Sequence, residues 1–278
     1  MRILLYLATN LAVLMMAGVA MAVLTALGVI PQDAPYIQLL IWCALFGFGG
    51  SIISLAMSKW IAKRATRAQV IEKPTDDTTR WLLDTVRRQA QQAGIGMPEV
   101  AVYPSPDPNA FATGMFRNNA LVAVSVGLLQ AMNRDQVEAV IGHEVTHIAN
   151  GDMVTLALIQ GVLNTFVFFV ARLVASQFGR GQILVYLALQ MAFGIMASMV
   201  VAWFSRRREF RADAGGARLK SAPAMASALD RLRAASGQRP DLPENLAAFG
   251  IHGGGLSRLL STHPPIGERI ARLEGRTA

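Results

Sequence analysis

The sequence predicts an α+β membrane protein that is mostly helical, with four transmembrane helices and a soluble domain carrying a small β-sheet. Three observations lead there. The chain of 278 residues is 53% hydrophobic and 16% charged, with a mean hydropathy of +0.38, too apolar for an ordinary soluble domain. Residues 3–30, 37–57, 154–176 and 183–204 form apolar runs matching the roughly 20 residues that cross a bilayer as a helix. The segments between and after these runs instead alternate in the manner of soluble helices and strands.

The organisation read from this pattern has four parts: a transmembrane hairpin over 1–58, a soluble part over 59–153, a second hairpin over 154–204 and a second soluble part over 205–278. The first run is too long for the apolar region of a signal peptide and is followed by a second span. The connector from Pro31 to Tyr36 carries no positive charge, whereas Lys59, Lys63, Arg64 and Arg67 follow the second run and Arg206, Arg207 and Arg208 follow the fourth. The positive-inside rule places both soluble parts and both termini in the cytoplasm. Gly47, Gly49, Gly50 and Ser51 are expected to let the first two helices approach closely. The run at 154–176 contains Gln160, Asn164 and Arg172, so it either crosses fully or forms a shallower hairpin with its neighbour.

A net charge of +8 and a pI near 10.4 point, in such a chain, to anionic lipid rather than nucleic acid, for which no reading motif is present. The single cysteine, Cys43, excludes an intrachain disulfide. Within the soluble parts, 78–93 reads as an amphipathic helix, and 100–103, 110–113 and 120–125 as strands, the last two joined by a turn around Arg117, Asn118 and Asn119. Further helices are predicted at 222–235 and 266–273.

The stretch that organises the chemistry is a helix from Asn133 to His147. Asn133 is a good N-cap, and Gln136 completes a capping box. Val137, Ile141, Val145 and Ile148 form an apolar stripe, with His143 and His147 beyond its edge. His143-Glu144-Val145-Thr146-His147 fits H-E-x-x-H, in which two imidazoles one turn apart address one ion and the glutamate acts as base towards water. The plain alternative is two histidines on a helix flank with a solvated glutamate between them. A zinc site of this kind needs a third protein ligand. Glu209 is the strongest candidate, and Asp213, four residues on, lies on the same helical face, so the pair could serve as ligand and as support for a histidine. Alternatively, Glu209 simply pairs with the neighbouring arginines.

The segments Asn109-Ala110-Phe111-Ala112-Thr113-Gly114, His143 to Asp152, Glu209-Phe210-Arg211-Ala212-Asp213 and Thr262-His263-Pro264-Pro265, in that order, resemble the HtpX family of bacterial membrane-bound zinc endopeptidases, relatives of the CAAX prenyl endopeptidases. The resemblance implies a zincin-like catalytic domain and one Zn2+ per chain, bound by His143, His147 and Glu209. It further implies Glu144 as general base, Asp213 behind a ligating histidine, His263 near the oxyanion, and Asn109 to Gly114 along the substrate cleft. Phe210 stands where relatives often carry tyrosine. The implied setting is the cytoplasmic membrane, the implied substrates are misfolded or damaged membrane proteins and unfolded polypeptide, and other membrane proteases are implied partners. On this reading an extended substrate pairs with a strand edge near residues 120–125. An intramembrane protease and a non-enzymatic zinc-stabilised scaffold are the competing classes. The polar residues of 130–135 speak against the first, and metal-dependent cleavage by purified protein separates out the second.

Overall fold

The computed structural model describes residues 23, 26, 35–236 and 260–275. The apolar run at 3–30 therefore lies almost wholly outside the described residues, as do its packing and His252. Helix α1 (Pro35–Thr66) leads into β1 (Gln69–Val70), α2 (Asp77–Ala93), β2 (Glu99–Tyr103), β3 (Ala110–Phe116) and β4 (Asn119–Ser125). After these come α3 (Val126–Ala131), α4 (Arg134–Asn150), α5 (Asp152–Ala175), a 3-10 segment (Ser176–Gly181), α6 (Gln182–Leu219), α7 (Ala222–Ser236) and α8 (Ile266–Leu273). The protein is thus mostly helical with one small sheet.

Two compact units are present, one made of 1–55 with 155–201 and the other of 56–154 with 202–278. Among the described residues, two helical stretches are long and apolar enough to cross a membrane: Pro35–Thr66 and Asp152–Leu219, the latter broken by non-helical backbone at Gly179. Large apolar side chains stand exposed along them, among them Val162, Phe166, Leu184 and Met191, which in water would be an unpaid hydrophobic cost. Gln160 donates to Asn164 Oδ1 at 2.8 Å, so these two polar side chains satisfy each other one turn apart. A Cβ on Gly47 would lie 2.7 Å from the Thr165 amide nitrogen and 2.8 Å from the Gly161 carbonyl oxygen. Among the described residues this glycine lets α1 approach α5 closely, and no described atom lies within 4 Å of a Cβ on Gly50; the expected close approach of the first two spans lies outside the described residues.

In the second unit the strand order is β1-β2-β4-β3. β2 runs parallel to β4, and the other neighbours pair antiparallel. The β3–β4 hairpin turns at Arg117 and Asn118, as the sequence predicts, but β3 extends three residues further than the predicted 110–113. β4 lies between two partners, so the strand edge expected near 120–125 is not open. The outer strand on that side is β3, because the β2–β4 crossover occupies the position the simple hairpin reading leaves free.

One face of the sheet (Val100, Ala120, Val122, Val124) packs against Leu82 and Val86 of α2, Val137, Ile141, Val145 and Ile148 of α4, and Met225 and Leu229 of α7. Each such fully buried aliphatic side chain contributes roughly 1.5–3 kcal/mol. The apolar stripe read from the sequence is thus the buried side of α4. Asn133 and Gln136 form the predicted capping box, and α4 ends at Gly151, whose φ of 67° favours glycine.

Glu138 ties this arrangement together. It is 9% exposed and receives Trp81 Nε1 at 2.9 Å and Arg88 NH2 at 3.1 Å from α2, and Lys220 Nζ at 2.9 Å from beyond the end of α6. Burial pushes its pKa up, but the contacts with Lys220 and Trp81 outweigh that and hold it below the ordinary glutamate value of 4.5. A carboxylate depressed on folding stabilises fully above its unfolded pKa, and the gain disappears as pH falls through the folded value. Glu138→Gln should therefore cost about 2 kcal/mol at neutral pH. In denaturant titrations its gap from the unaltered protein should narrow as pH falls below 4.5.

Candidate metal centre

Helix α4 supplies two imidazoles. His143 and His147 are one turn apart, their ring centroids 4.7 Å and their Nε2 atoms 3.1 Å from each other. Helix α6 supplies the carboxylates. Glu209, Asp213 and Gly216 follow the i, i+4, i+7 spacing of one helical face, and the glycine sets how near that face can come. A Cβ on Gly216 would lie 2.9 Å from the Ala139 carbonyl oxygen and 3.0 Å from the His143 amide nitrogen; one on Gly215 would overlap the Thr146 side chain. Opposite them, a Cβ on Gly142 would lie 3.2 Å from Gly216 Cα. The two helices meet backbone to backbone.

That approach brings Glu209 to both rings. Its Oε1 is 3.3 Å from His147 Nε2 and its Oε2 is 3.6 Å from His143 Nε2. One donor atom from each of the three residues fits within 4.8 Å of the others. The far ring nitrogens are also engaged: His143 Nδ1 lies 2.9 Å from Asp213 Oδ1, and His147 Nδ1 lies 2.7 Å from Asp152 Oδ2. Ionised carboxylates only accept, so each Nδ1 carries a proton, which leaves each Nε2 facing inward as the atom that would present its lone pair to a metal. Asp152 was not singled out from the sequence. Its local signal is its place five residues after His147, just past the turn at Gly151.

The electrostatics favour a cation at this point. The carboxylates of Glu144, Asp152, Glu209 and Asp213 stand against the guanidinium groups of Arg208 and Arg269. Burial opposes a charged His147, yet hydrogen bonds to Asp152 and Glu209 push its pKa up to about 10. Burial likewise opposes ionisation of Glu209, but its contacts with His147 and His263 hold it far below the carboxylate range. The same balance keeps Asp213 low, with Arg269 and His143 outweighing burial. Two inward nitrogens and one carboxylate, with excess negative charge around them, suit a divalent metal that accepts mixed nitrogen and oxygen donors.

Glu144 lies outside this cluster, half-buried, close enough for its charge to act on His147 and Arg269. His263 reaches the site from the other end of the chain, with Nδ1 2.8 Å from Glu209 Oε2, its side chain 65% exposed. Residues 110–113 of β3 pair with 121–124 of β4, and β3 packs on α4, with Ala110 and Ala112 on the face turned to that helix. Asn109 is exposed, and Gly114 begins the irregular end of the strand at a φ of 138°. Arg269 is a second residue that sequence reasoning passed over, since nothing local marks an arginine 56 positions from its partner Asp213.

Residues 76–277 match Peptidase family M48. The chain belongs to this family. It is 58% identical over 287 residues to Protease HtpX of Xanthomonas axonopodis pv. citri, covering 98% of this chain and 96% of that protein. Protease HtpX of Thioalkalivibrio sulfidiphilus is 53% identical over 290 residues, with 98% of each chain covered. Among solved structures, S. mikatae Ste24p superposes with a TM-score of 0.64 at 15% identity, over 96% of this chain and 67% of that one, a likeness of fold. The protein is therefore a metallopeptidase. Together with its two apolar helical stretches, the family places it among bacterial membrane proteins.

The α4–α6 contact leads to a direct test. Gly216→Ala sets a methyl group against two backbone atoms that cannot rotate away. It should cost roughly 1–3 kcal/mol and weaken divalent-metal retention measured by equilibrium dialysis.

Proposed function

We propose that this protein is a zinc endopeptidase of the bacterial cytoplasmic membrane that cleaves misfolded or damaged membrane proteins. The observation that carries the reading is the convergence of His143 Nε2, His147 Nε2 and the Glu209 carboxylate, with a glutamate, Glu144, next to the first of them. In the proposed assignment these three side chains hold one zinc ion, which when bound supplies a Lewis acid towards carbonyl oxygen and water. Asp213 and Asp152 hold the Nδ1 protons and so keep both lone pairs aimed inward. Glu144 takes a proton from the attacking water onto a carboxylate oxygen and passes it to the leaving amine nitrogen. His263, with Nδ1–H donating to Glu209, donates from Nε2 to the scissile carbonyl oxygen as the imidazolium while negative charge grows there.

The peptide is held in extended form along β3. Main-chain hydrogen bonds at a strand edge are indifferent to side-chain identity, which suits an enzyme that must accept many damaged sequences. Asn109 to Gly114 line this track. The catalytic domain, built from 59–153 and 205–278, faces the cytoplasm, and 1–58 and 154–204 contribute four spans. Two observations support the membrane-edge placement: Arg64 stacks over Trp60 at 5.6 Å and Arg207 over Trp203 at 4.1 Å. Both tryptophans are 43% exposed, and such pairs suit the headgroup level, where amphipathic rings and basic groups concentrate.

Glu144→Gln should lower kcat for an unfolded protein substrate by about 10²–10⁴-fold while one zinc per chain remains by metal analysis. Retained proteolysis in that variant would remove the assigned base. Strand pairing is tested on the substrate side: N-methylation of alternate peptide nitrogens should raise KM about fivefold for each main-chain hydrogen bond lost, at about 1 kcal/mol apiece. Side-chain swaps at the same positions should matter less, and a uniform tolerance of N-methylation would exclude β3 as the track.

A further inference from the structure

We propose that Arg269 is a positioning residue for the metal centre: from α8 it fixes the plane of Asp213, and through Asp213 the ring of His143, while steadying Glu209. Arg269 is 7% exposed. Its Nε donates to Asp213 Oδ2 at 2.7 Å and its NH2 to Asp213 Oδ1 at 2.6 Å, a two-toothed clamp on one carboxylate. The same Oδ1 receives His143 Nδ1 at 2.9 Å. A carboxylate on a short side chain can pivot about two bonds, and a planar fork removes that freedom in a way a single ammonium cannot. The orientation of the His143 ring is thereby set from the C-terminal helix.

The second part of the argument is charge. Glu209 and Asp213 are 3% and 2% exposed and lie one turn apart on α6. Two buried carboxylates at that spacing repel unless a cation touches both, and Arg269 NH2 also lies 3.3 Å from Glu209 Oε2. Arg269 therefore stabilises the pair in the absence of any metal and keeps Glu209 from swinging away from the imidazoles.

Other contacts hold α8 in place independently of this clamp. Arg272 lies 3.8 Å over the Phe210 ring, Arg206 NH1 donates to the Ser261 carbonyl at 2.8 Å, and Ile266, Ile270 and Leu273 pack on the core. Loss of the Arg269 fork can thus be separated from loss of the helix.

The inference rests on His143, His147 and Glu209 being the zinc ligands. The test uses the full chain in detergent, with zinc affinity read by competition against a chromophoric chelator and ligand geometry read from the visible spectrum of the cobalt-substituted protein. Arg269→Gln should weaken zinc binding roughly 10–100-fold and alter the cobalt spectrum. Arg269→Lys, which keeps the charge without the fork, should fall between the two, and it carries the test if the Gln variant does not fold. Asp213→Asn should match Arg269→Gln, and the double variant should bind zinc no more weakly than either single one. Unchanged zinc affinity in Arg269→Gln or Arg269→Lys, or losses that simply add in the double variant, would overturn the proposal. Unaltered protein that takes up no zinc would instead sink the ligand assignment beneath it.

Discussion

The closeness of α4 and α6 is the constraint on which the rest of the site depends. Imidazoles on one helix and a carboxylate on another can share an ion only if the helix backbones stand near enough for short side chains to meet. Here that distance is set by absent side chains, Gly142 facing Gly216 and Gly215 facing Thr146. Asp213 and Glu209 are one and two turns upstream of that contact on the same helical face, so their direction follows from it. The cost of bringing the helices together is met by the core on the other side of α4, where Val137, Ile141, Val145 and Ile148 are buried against the sheet and α7. Packing on one side of a helix thus determines chemistry on the other.

Concentrating four carboxylates around two imidazoles is unfavourable by itself, and the fold answers it in layers. Asp152 and Asp213 each accept a hydrogen bond from a histidine Nδ1–H, which gives their charge a partner and orients the ring in the same contact. Arg208 and Arg269 are buried beside them at 6% and 7% exposure, donating to backbone or side-chain oxygens of those same aspartates. What remains is a demand for positive charge focused where the two Nε2 atoms and Glu209 meet. The same demand acts on His147, where burial opposes the charged ring but hydrogen bonds to Asp152 and Glu209 push its pKa well up. The same field favours a cation at that point.

Local rules made much of this readable from sequence. The i, i+4 spacing within each helix linked His143 to His147 and Glu209 to Asp213, and the capping box and apolar stripe placed α4 against a core. The contacts that escaped notice cross between segments. Asp152 is near His147 in sequence, but only the sharp turn at Gly151 brings it back to the ring, and a helix beginning at 152 reads more naturally as the start of the next apolar run. Arg269 belongs to a short helix whose docking on α7 has no local signature. The open edge lies on β3 rather than near 120–125, because a parallel β2–β4 pairing requires a crossover that hairpin patterns do not reveal. A small residue such as Gly47 marks a close approach without naming the partner, and among the described residues the neighbour it admits is α5.

The position of Asp152 adds a last consequence. The soluble unit loses the chain after Val154 and regains it at Ala202, so the entry to α5 and the part of α6 beyond 202 mark its two points of departure and return. Arg208 joins them, donating NH1 to the Asp152 carbonyl oxygen at 2.7 Å from a buried position. The Asp152 side chain meanwhile holds His147. One residue therefore serves both as the anchor of the returning chain and as the support of an imidazole. Closing a long excursion costs little more entropy than closing a short one, since the cost grows only with the logarithm of length. The greater risk is slack at the closing point. A slip of α6 relative to α5 would move the Asp152 backbone and, with it, the hydrogen bond that orients His147. By fastening the closure at the residue that orients the ring, the fold makes the geometry of the metal centre depend on this short tie, however long the intervening apolar excursion is.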